Sequence, residues 1–497
     1  LDPSLTASLE NRLVTFFEQA EKNAEDVSLT TERQAELISV FLFSEYAASA
    51  FTRNPALFRD LTESGDLDAT YAPQTYETRL RAALSGLERD TAAVKPILLE
   101  TKLRETVRIA WRDLTRKAGL EETLEDLSRL ADSIVSAAVT AVYSQAAETH
   151  GLPEDDAGLA QDLIVLGMGK LGARELNFSS DIDLIFVYPE EGSTNGERSI
   201  SNHEFFTKVC RNFTRLFSNT GHGFNFYRLD TRLRPFGDGG PLVMGAQAFE
   251  EYYQAQGRDW ERYAMIKARP IAGDIRAGNA LLKSLNAFIY RRYFDYNSFD
   301  AFRDMKQRIA LQVKNKKLKN NIKLGAGGIR EIEFFGQLFQ LIRGGVEPRL
   351  QERRILKVLD LLRTARCIDT ATRDDLKQAY VFLRQVENRL QACADLQTHD
   401  IPEKAEARVI LARSMGYRQW DAFKPDLDRH LSRVHHHFNQ LLVSGDGEER
   451  DQTIEDLTRM WNNVNDPQFK ADAIQIGNFE DPAKVLSLMR TLEAHPN

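Results

Sequence analysis

Two aspartates one residue apart, Asp181 and Asp183, stand in Ser179-Ser180-Asp181-Ile182-Asp183-Leu184, at the head of the apolar run Leu184-Ile185-Phe186-Val187-Tyr188. In a strand successive side chains alternate, so the two carboxylates share one face while Ile182, Leu184 and Phe186 take the other. Like charges so close repel strongly unless a cation lies between them. Carboxylates opening a buried strand therefore suit an octahedral Mg²⁺ site. Upstream, the glycines of Leu166-Gly167-Met168-Gly169-Lys170-Leu171-Gly172 let backbone N–H groups approach phosphate oxygens, and a short helix after them offers its N-terminus. Ser179 and Ser180 add hydroxyl donors. Asp230, ending Phe226-Tyr227-Arg228-Leu229-Asp230, is the expected third carboxylate, to hold a second metal or to orient the attacking oxygen. Arg232 and Arg234 follow it and can bring guanidinium groups to a triphosphate or a free phosphate.

Gly167, Gly169 and Gly172 also spell Gly-x-Gly-x-x-Gly, but a dinucleotide fold needs a full crossover helix and an acid ending its second strand. Here the helical stretch 170–176 is too short and the acids open the strand, which disfavours that reading. An Asp-x-Asp pair is common in loops and caps, and a strand-to-helix turn needs glycine in any case. A glycine turn, then Asp-x-Asp on an apolar strand, then a later strand bearing Asp is the combined signature of the nucleotidyltransferase fold typified by DNA polymerase beta.

The elements that must position these groups form an α+β, predominantly helical protein. Residues 1–155 read as a helical N-terminal region. Leu99, Leu103, Val107, Ala110 and Leu114 recur at helical spacing, Thr30-Thr31-Glu32 and Thr123-Leu124-Glu125 resemble helix starts, and 132–147 is dense in Ala, Val and Ser. Residues 156–275 hold the catalytic core, with buried strands expected at 163–166, 184–188 and 223–229. Helix is expected over 247–291 and 297–318. Residues 276–345 form a helical extension whose glycine-rich segment completes the site, and 346–443 a helical bundle with a seam of Leu376, Ala379, Leu383, Val386 and Leu390. Residues 444–497 begin with a polar linker and start a further helical module.

Composition limits the partners. Apolar residues make up 42% and charged residues 28% of 497, the balance of a soluble globular protein. A net charge of −8 argues against a general nucleic-acid binder. Cys210, Cys367 and Cys393 are scattered, which disfavours a disulfide framework or zinc site and suits a reducing cytoplasm. No apolar run is long enough to span a membrane, and Leu1-Asp2-Pro3-Ser4 lacks a signal pattern. The absent initiator Met is expected of a chain that was processed or cut.

Longer stretches of wording go further. LGMGKLGARELNFSSDIDLIF, RLDTRLRPFGDGGPLV, YYQAQGRDWERYAMIKARPIAGD and NIKLGAGGIREIEF closely resemble the bifunctional glutamine synthetase adenylyltransferase/adenylyl-removing enzymes. That family carries two catalytic domains in tandem. NFSSDIDL, RPFG and GRDWERYAMIKAR resemble its N-terminal, adenylyl-removing half. The resemblance implies a cytoplasmic enzyme that removes AMP from a tyrosine of glutamine synthetase by phosphorolysis. Orthophosphate attacks, ADP leaves, and the PII signal protein is a regulatory partner; neither nucleic acid nor membrane is. It places Asp181, Asp183 and Asp230 on the metal-binding carboxylates, with two Mg²⁺ ions expected and Mn²⁺ as a substitute. The attacking phosphate demands positive charge, for which Lys170, Arg232, Arg234, Lys267, Arg269, Lys323 and Arg330 are candidates; each also reads as a solvated charge or a salt bridge to Glu261, Glu331 or Glu333. Gly325, Gly327 and Gly328 read as a phosphate nest or as a helix start. His435-His436-His437 point apart on a helix and make a poor chelate, while Trp260, Tyr263 and Phe334 read as core rather than as adenine platforms. No histidine base is required, because phosphate is already anionic. Forward adenylylation from ATP would use the same carboxylates, and a non-catalytic scaffold binding the PII signal protein is the rival of another class.

Overall fold

The computed structural model describes residues 3–25, 27, 29–218, 226–290, 306–309, 311, 318, 320–394 and 397–441. Leu1–Phe438 cluster as one compact unit, and the second unit, Asn439–Asn497, lies almost wholly outside the described residues. So do the linker and module expected beyond 443 and most of the helix expected over 297–318.

Seven helices come first: α1 (Pro3–Lys22), α2 (Thr31–Phe43), α3 (Glu45–Arg53), α4 (Pro55–Glu63), α5 (Thr75–Ala83), α6 (Thr91–Leu114) and α7 (Leu120–His150). Thr30 caps α2 as its sequence suggests, its side chain accepting from the Arg33 N–H. The helix start expected at Thr123 is displaced. α7 begins at Leu120 with Glu121 and Glu122 in its first turn, and Thr123 is buried inside it. The Ala/Val-rich stretch of α7 packs as expected, with Ala131, Ile134, Val135, Ala138 and Val142 all buried.

The central region contains β1 (Pro153–Glu154), β2 (Ile164–Gly167), α8 (Gly169–Gly172), β3 (Ile182–Tyr188), β4 (Ser193–Thr194), α9 (Asn202–Phe217), β5 (Leu229–Asp230), β6 (Val243–Gly245), α10 (Ala246–Gln256), α11 (Asp259–Met265) and β7 (Arg269–Gly273). Beyond it lie α12 (Ile275–Ser284), α13 (Asn286–Ile289), α14 (Ile329–Arg343), α15 (Ile355–Thr364), α16 (Thr370–Ala394), α17 (Ala405–Ser414) and α18 (Trp420–Gln440). The α+β, mostly helical class is as expected.

The sheet runs β5-β3-β2-β7, with β6 also paired to β3. β2 is antiparallel to β3 and β7, whereas β3 is parallel to β5 and β6. Three local expectations are corrected. The helix expected over 247–291 is broken by β7, because Pro270 has no N–H for a helix interior; the ladder to β2 shifts register at Val165/Leu166, where Leu166 meets Pro270. The strand expected over 223–229 is regular only at Leu229–Asp230, with 223–225 outside the described residues. Within the region expected to be strands, α9 buries Phe205, Phe206, Val209, Cys210, Phe213, Leu216 and Phe217 on one face, a helical period. Its Phe213 meets Phe186 of β3 edge-on at 5.6 Å, so α9 and α7 together cover one sheet face in a single apolar core. Among the described residues no helix is long and apolar enough to cross a membrane.

Candidate active site

The glycine turn after β2 sets the geometry. Gly169 has φ of +52°, and a Cβ there would lie 3.0 Å from Asp183 Oδ2. At Gly172 a Cβ would sit 2.0 Å from the Lys267 carbonyl oxygen, so this turn fits only without side chains. β3 then carries Asp183 directly opposite Asp230 of β5 in the parallel register. Paired residues share a sheet face, so the two carboxylates project together. Asp181 stands just before β3 and is more exposed.

The electrostatics record their proximity. Burial, then repulsion from Asp230 and Asp181, pushes the Asp183 carboxyl up to about 6. Asp230 is held below the usual carboxylate range, chiefly by its hydrogen bonds from Arg232, whose Nη2 lies 2.5 Å from Oδ2. Asp181 accepts from Arg228 Nε at 2.6 Å and from Gln397 Nε2 at 3.0 Å. Arginines thus bond the outer two carboxylates directly, while at Asp183 Lys323 and Arg232 only partly offset burial and the repulsion of its like-charged neighbours. Hard oxygen donors that repel one another fit Mg²⁺ in ligand type. Among the described residues, however, no three His, Cys, Asp or Glu side chains are already arranged around a metal position. Loading would require Arg228 and Arg232 to release their carboxylates.

Asp181 and Asp183, but not Asp230, line a cleft of about 430 Å³ shared with Gly169, Lys170, Ser180, Tyr263, Lys267, Lys323, Arg330, Glu333, Gln397 and His399. The expected basic residues divide here. Lys170, Lys267, Lys323 and Arg330 reach the cleft. Arg232 stays at Asp230. Arg234 folds its own loop, donating to Thr231 O at 2.8 Å and Thr231 Oγ1 at 3.0 Å, and Arg269 forks onto Asp132 at 2.8 and 3.0 Å. Ser180 lines the cleft, whereas Ser179 is buried with its N–H donated to Gln391 Oε1. Gly325, Gly327 and Gly328 take the helix-start reading: Gly328 caps α14, and the Gly327 N–H donates to Glu331 Oε2 at 3.0 Å. His435 and His437 diverge to Glu331 and Asp375. Tyr263 stacks on buried Phe334 as core residues do, but Trp260 is 44% exposed, which corrects its assignment to the core.

Behind the turn lies a charged network that the motifs do not contain. Lys170 Nζ donates to Asn177 Oδ1 at 2.6 Å and to Glu387 Oε1 at 2.8 Å. Burial depresses Lys170 to about 7 despite that partner. Arg384 bridges Asn177 Oδ1 at 2.8 Å and Glu387 at 3.0 Å, while Asn177 Nδ2 donates to Asn388. Burial would raise Glu387, but Lys170, His399 and Arg384 hold it well below the ordinary range. Arg384, Glu387, Asn388 and Gln391 sit at helical spacing on α16, a polar stripe in a helix whose Leu383 and Val386 are equally buried. That stripe is the signal from which this network could have been found.

The sequence model of one family, glutamate-ammonia ligase adenylyltransferase, matches residues 34–284. That span takes in the glycine turn, β3 and β5. The chain belongs to this family. A second model, GlnD PII-uridylyltransferase, matches residues 303–442. Bifunctional glutamine synthetase adenylyltransferase/adenylyl-removing enzymes are similar along most of the chain. The one from Nitrosococcus oceani is 46% identical over 462 residues, 92% of this chain and 48% of that protein. The Thioalkalivibrio sulfidiphilus protein is 46% identical over 83% of this chain and 42% of its own length, and the Pseudomonas putida protein 41% over 91% and 47%. The chain therefore spans about half the length of these family members.

Proposed function

We propose that this chain is a metal-dependent nucleotidyltransferase that deadenylylates glutamine synthetase by phosphorolysis. The observation carrying this reading is the register of β3 and β5, which sets Asp183 beside Asp230 above a cleft lined with Lys170, Lys267, Lys323 and Arg330. Asp181, Asp183 and Asp230 would hold Mg²⁺, or Mn²⁺ in its place, and the metal would supply charge stabilisation at the transferring phosphoryl group. Gly169 borders the cleft without a side chain and Ser180 offers a hydroxyl there, whereas Gly167 is packed against Ile271 and stays behind it. Lys323 and Arg330 place positive charge where an orthophosphate would approach the adenylyl phosphorus. Arg232, if a cation displaced it from Asp230, would become available to the nucleotide. The direction rests on the motifs NFSSDIDL, RPFG and GRDWERYAMIKAR, which resemble the adenylyl-removing half of the family. The match to a PII-uridylyltransferase model over 303–442 supports the PII signal protein as regulator, and the setting is cytoplasmic.

The test is to mix the chain with adenylylated or unmodified glutamine synthetase, Mg²⁺, and either phosphate or ATP. ADP release that requires phosphate and the adenylylated protein is expected. Incorporation of AMP from ATP would reverse the direction, and silence in every mixture would favour a scaffold.

A further inference from the structure

Resting on the phosphorolysis reading, we infer that His399 is a catalytic residue of this site, the acid that protonates the departing tyrosyl oxygen. His399 lies outside every motif, yet it lines the same cleft as Asp181, Asp183 and Lys323. Its segment is fastened on both sides. The His399 carbonyl accepts from the Ile322 N–H at 2.9 Å, beside Lys323, and Gln397 donates to Asp181. The ring is fastened too, with Nδ1 2.9 Å from Oε1 of Glu387, whose side chain is fully buried. Beside that carboxylate the doubly protonated ring would hold one proton at Nδ1 and could give the other from Nε2, on the opposite edge. His399 is thus a histidine oriented by a buried acid, the pairing used where a proton must move at a defined position.

The chemistry supplies a reason for it. Tyrosine has a phenolic pKa of about 10, so the tyrosyl oxygen leaves poorly as an anion at neutral pH. The bond from phosphorus to that oxygen breaks with its electron pair going to the oxygen, while an oxygen of HPO₄²⁻ bonds to the same phosphorus. The proton that the phosphate brought ends on tyrosine. His399 relays it: Nε2 donates to the leaving oxygen and recovers a proton from the terminal phosphate of the ADP formed. Atoms and charge balance without another reactant. The charged groups around the ring are Glu387 and Arg384 from α16, Lys170 from α8, Lys323, and the two acids Asp181 and Asp183.

Leaving-group dependence tests this. His399→Asn keeps a donor at the Nδ1 position for Glu387, so the fold is retained, while His399→Gln keeps one at the Nε2 position; neither can supply an acidic proton. Each is assayed with phosphate on adenylylated glutamine synthetase and on the 4-nitrophenyl ester of AMP, whose leaving group needs no proton. Both variants are expected to slow the protein substrate by roughly 10²-fold or more and to leave the nitrophenyl ester within about threefold of the parent chain. Equal losses on both substrates would make His399 a positioning residue and overturn the inference, as would no loss on either. A parent chain that phosphorolyses neither substrate would bring down the phosphorolysis reading itself, and this inference with it.

Discussion

The turn 169–181 has two sides, and charge is treated oppositely on them. On the cleft side, Asp181, Asp183 and Asp230 crowd together, and the innermost is pushed up to about 6 by burial and by its neighbours. On the far side, Lys170, Arg384 and Glu387 are more deeply buried, yet each cation has the Glu387 carboxylate within reach. The far side is charge-paired and the cleft side frustrated. A buried charge tolerates the interior only when paired and hydrogen-bonded, so the far network reads as scaffold, and the repulsion left on the cleft side is what the proposed cation and phosphate would relieve. The turn lets both exist a few residues apart: Gly169 brings the backbone against Asp183, while the next residue, Lys170, reaches the opposite way.

Substitutions can break this contrast from either side. The largest effect is expected from Asp183→Asn, which should cost roughly 10³-fold in turnover and yet stabilise the protein. A carboxyl raised from 3.8 to about 6 binds its proton more tightly folded than unfolded. Its stabilising contribution is therefore complete below about pH 4, is lost as pH rises towards 6, and leaves a penalty of up to about 3 kcal/mol above that. The variant should melt higher than the parent at pH 8 and equal to it near pH 4; a difference independent of pH would refute the stored repulsion. Next, Glu387→Ala strips the shared partner from Lys170, Arg384 and His399 and should destabilise by about 3–5 kcal/mol, read by urea denaturation. A loss under 1 kcal/mol would remove the far network's role as scaffold. Gly172→Ala sets a methyl against the Lys267 carbonyl and should cost about 1–3 kcal/mol, with turnover falling as the turn shifts. The smallest change in stability belongs to Arg232→Ala: its side chain is exposed, so the melting temperature should hold. Mg²⁺ should bind more tightly, because Asp230 loses the arginine that occupies it; weaker Mg²⁺ binding would contradict that competition.

Much of the cleft side is legible in the chain order because its signals are local. Glycines mark the turn, Asp183 sits near the head of β3 and Asp230 ends its strand as expected, although Asp181 stands just before β3 rather than in it. The far side leaves only an ambiguous trace. Arg384, Glu387, Asn388 and Gln391 look like the solvated face of a bundle helix, since charged side chains normally face water, and nothing near them announces Lys170 or Asn177. Arg234 and Arg269 err in the other direction. Adjacency to motif residues suggested phosphate binding, but a guanidinium bonds whichever oxygens surround it, and here these belong to its own loop and to Asp132.

Residue order alone thus points to a class of chemistry, to the acids proposed for it, and to the helical setting, all properties of neighbours a few positions apart. The fold decides which cations reach the cleft, which merely hold the turn, and that Gln397 and His399 join a site opened by Gly167, because contacts across more than two hundred residues depend on how α16 packs against the turn. Such contacts carry no period and no spacing to read. The acid pair could be named from a strand's alternation, whereas its frustration, and the paired charges that make it affordable, exist only once the chain has closed around them.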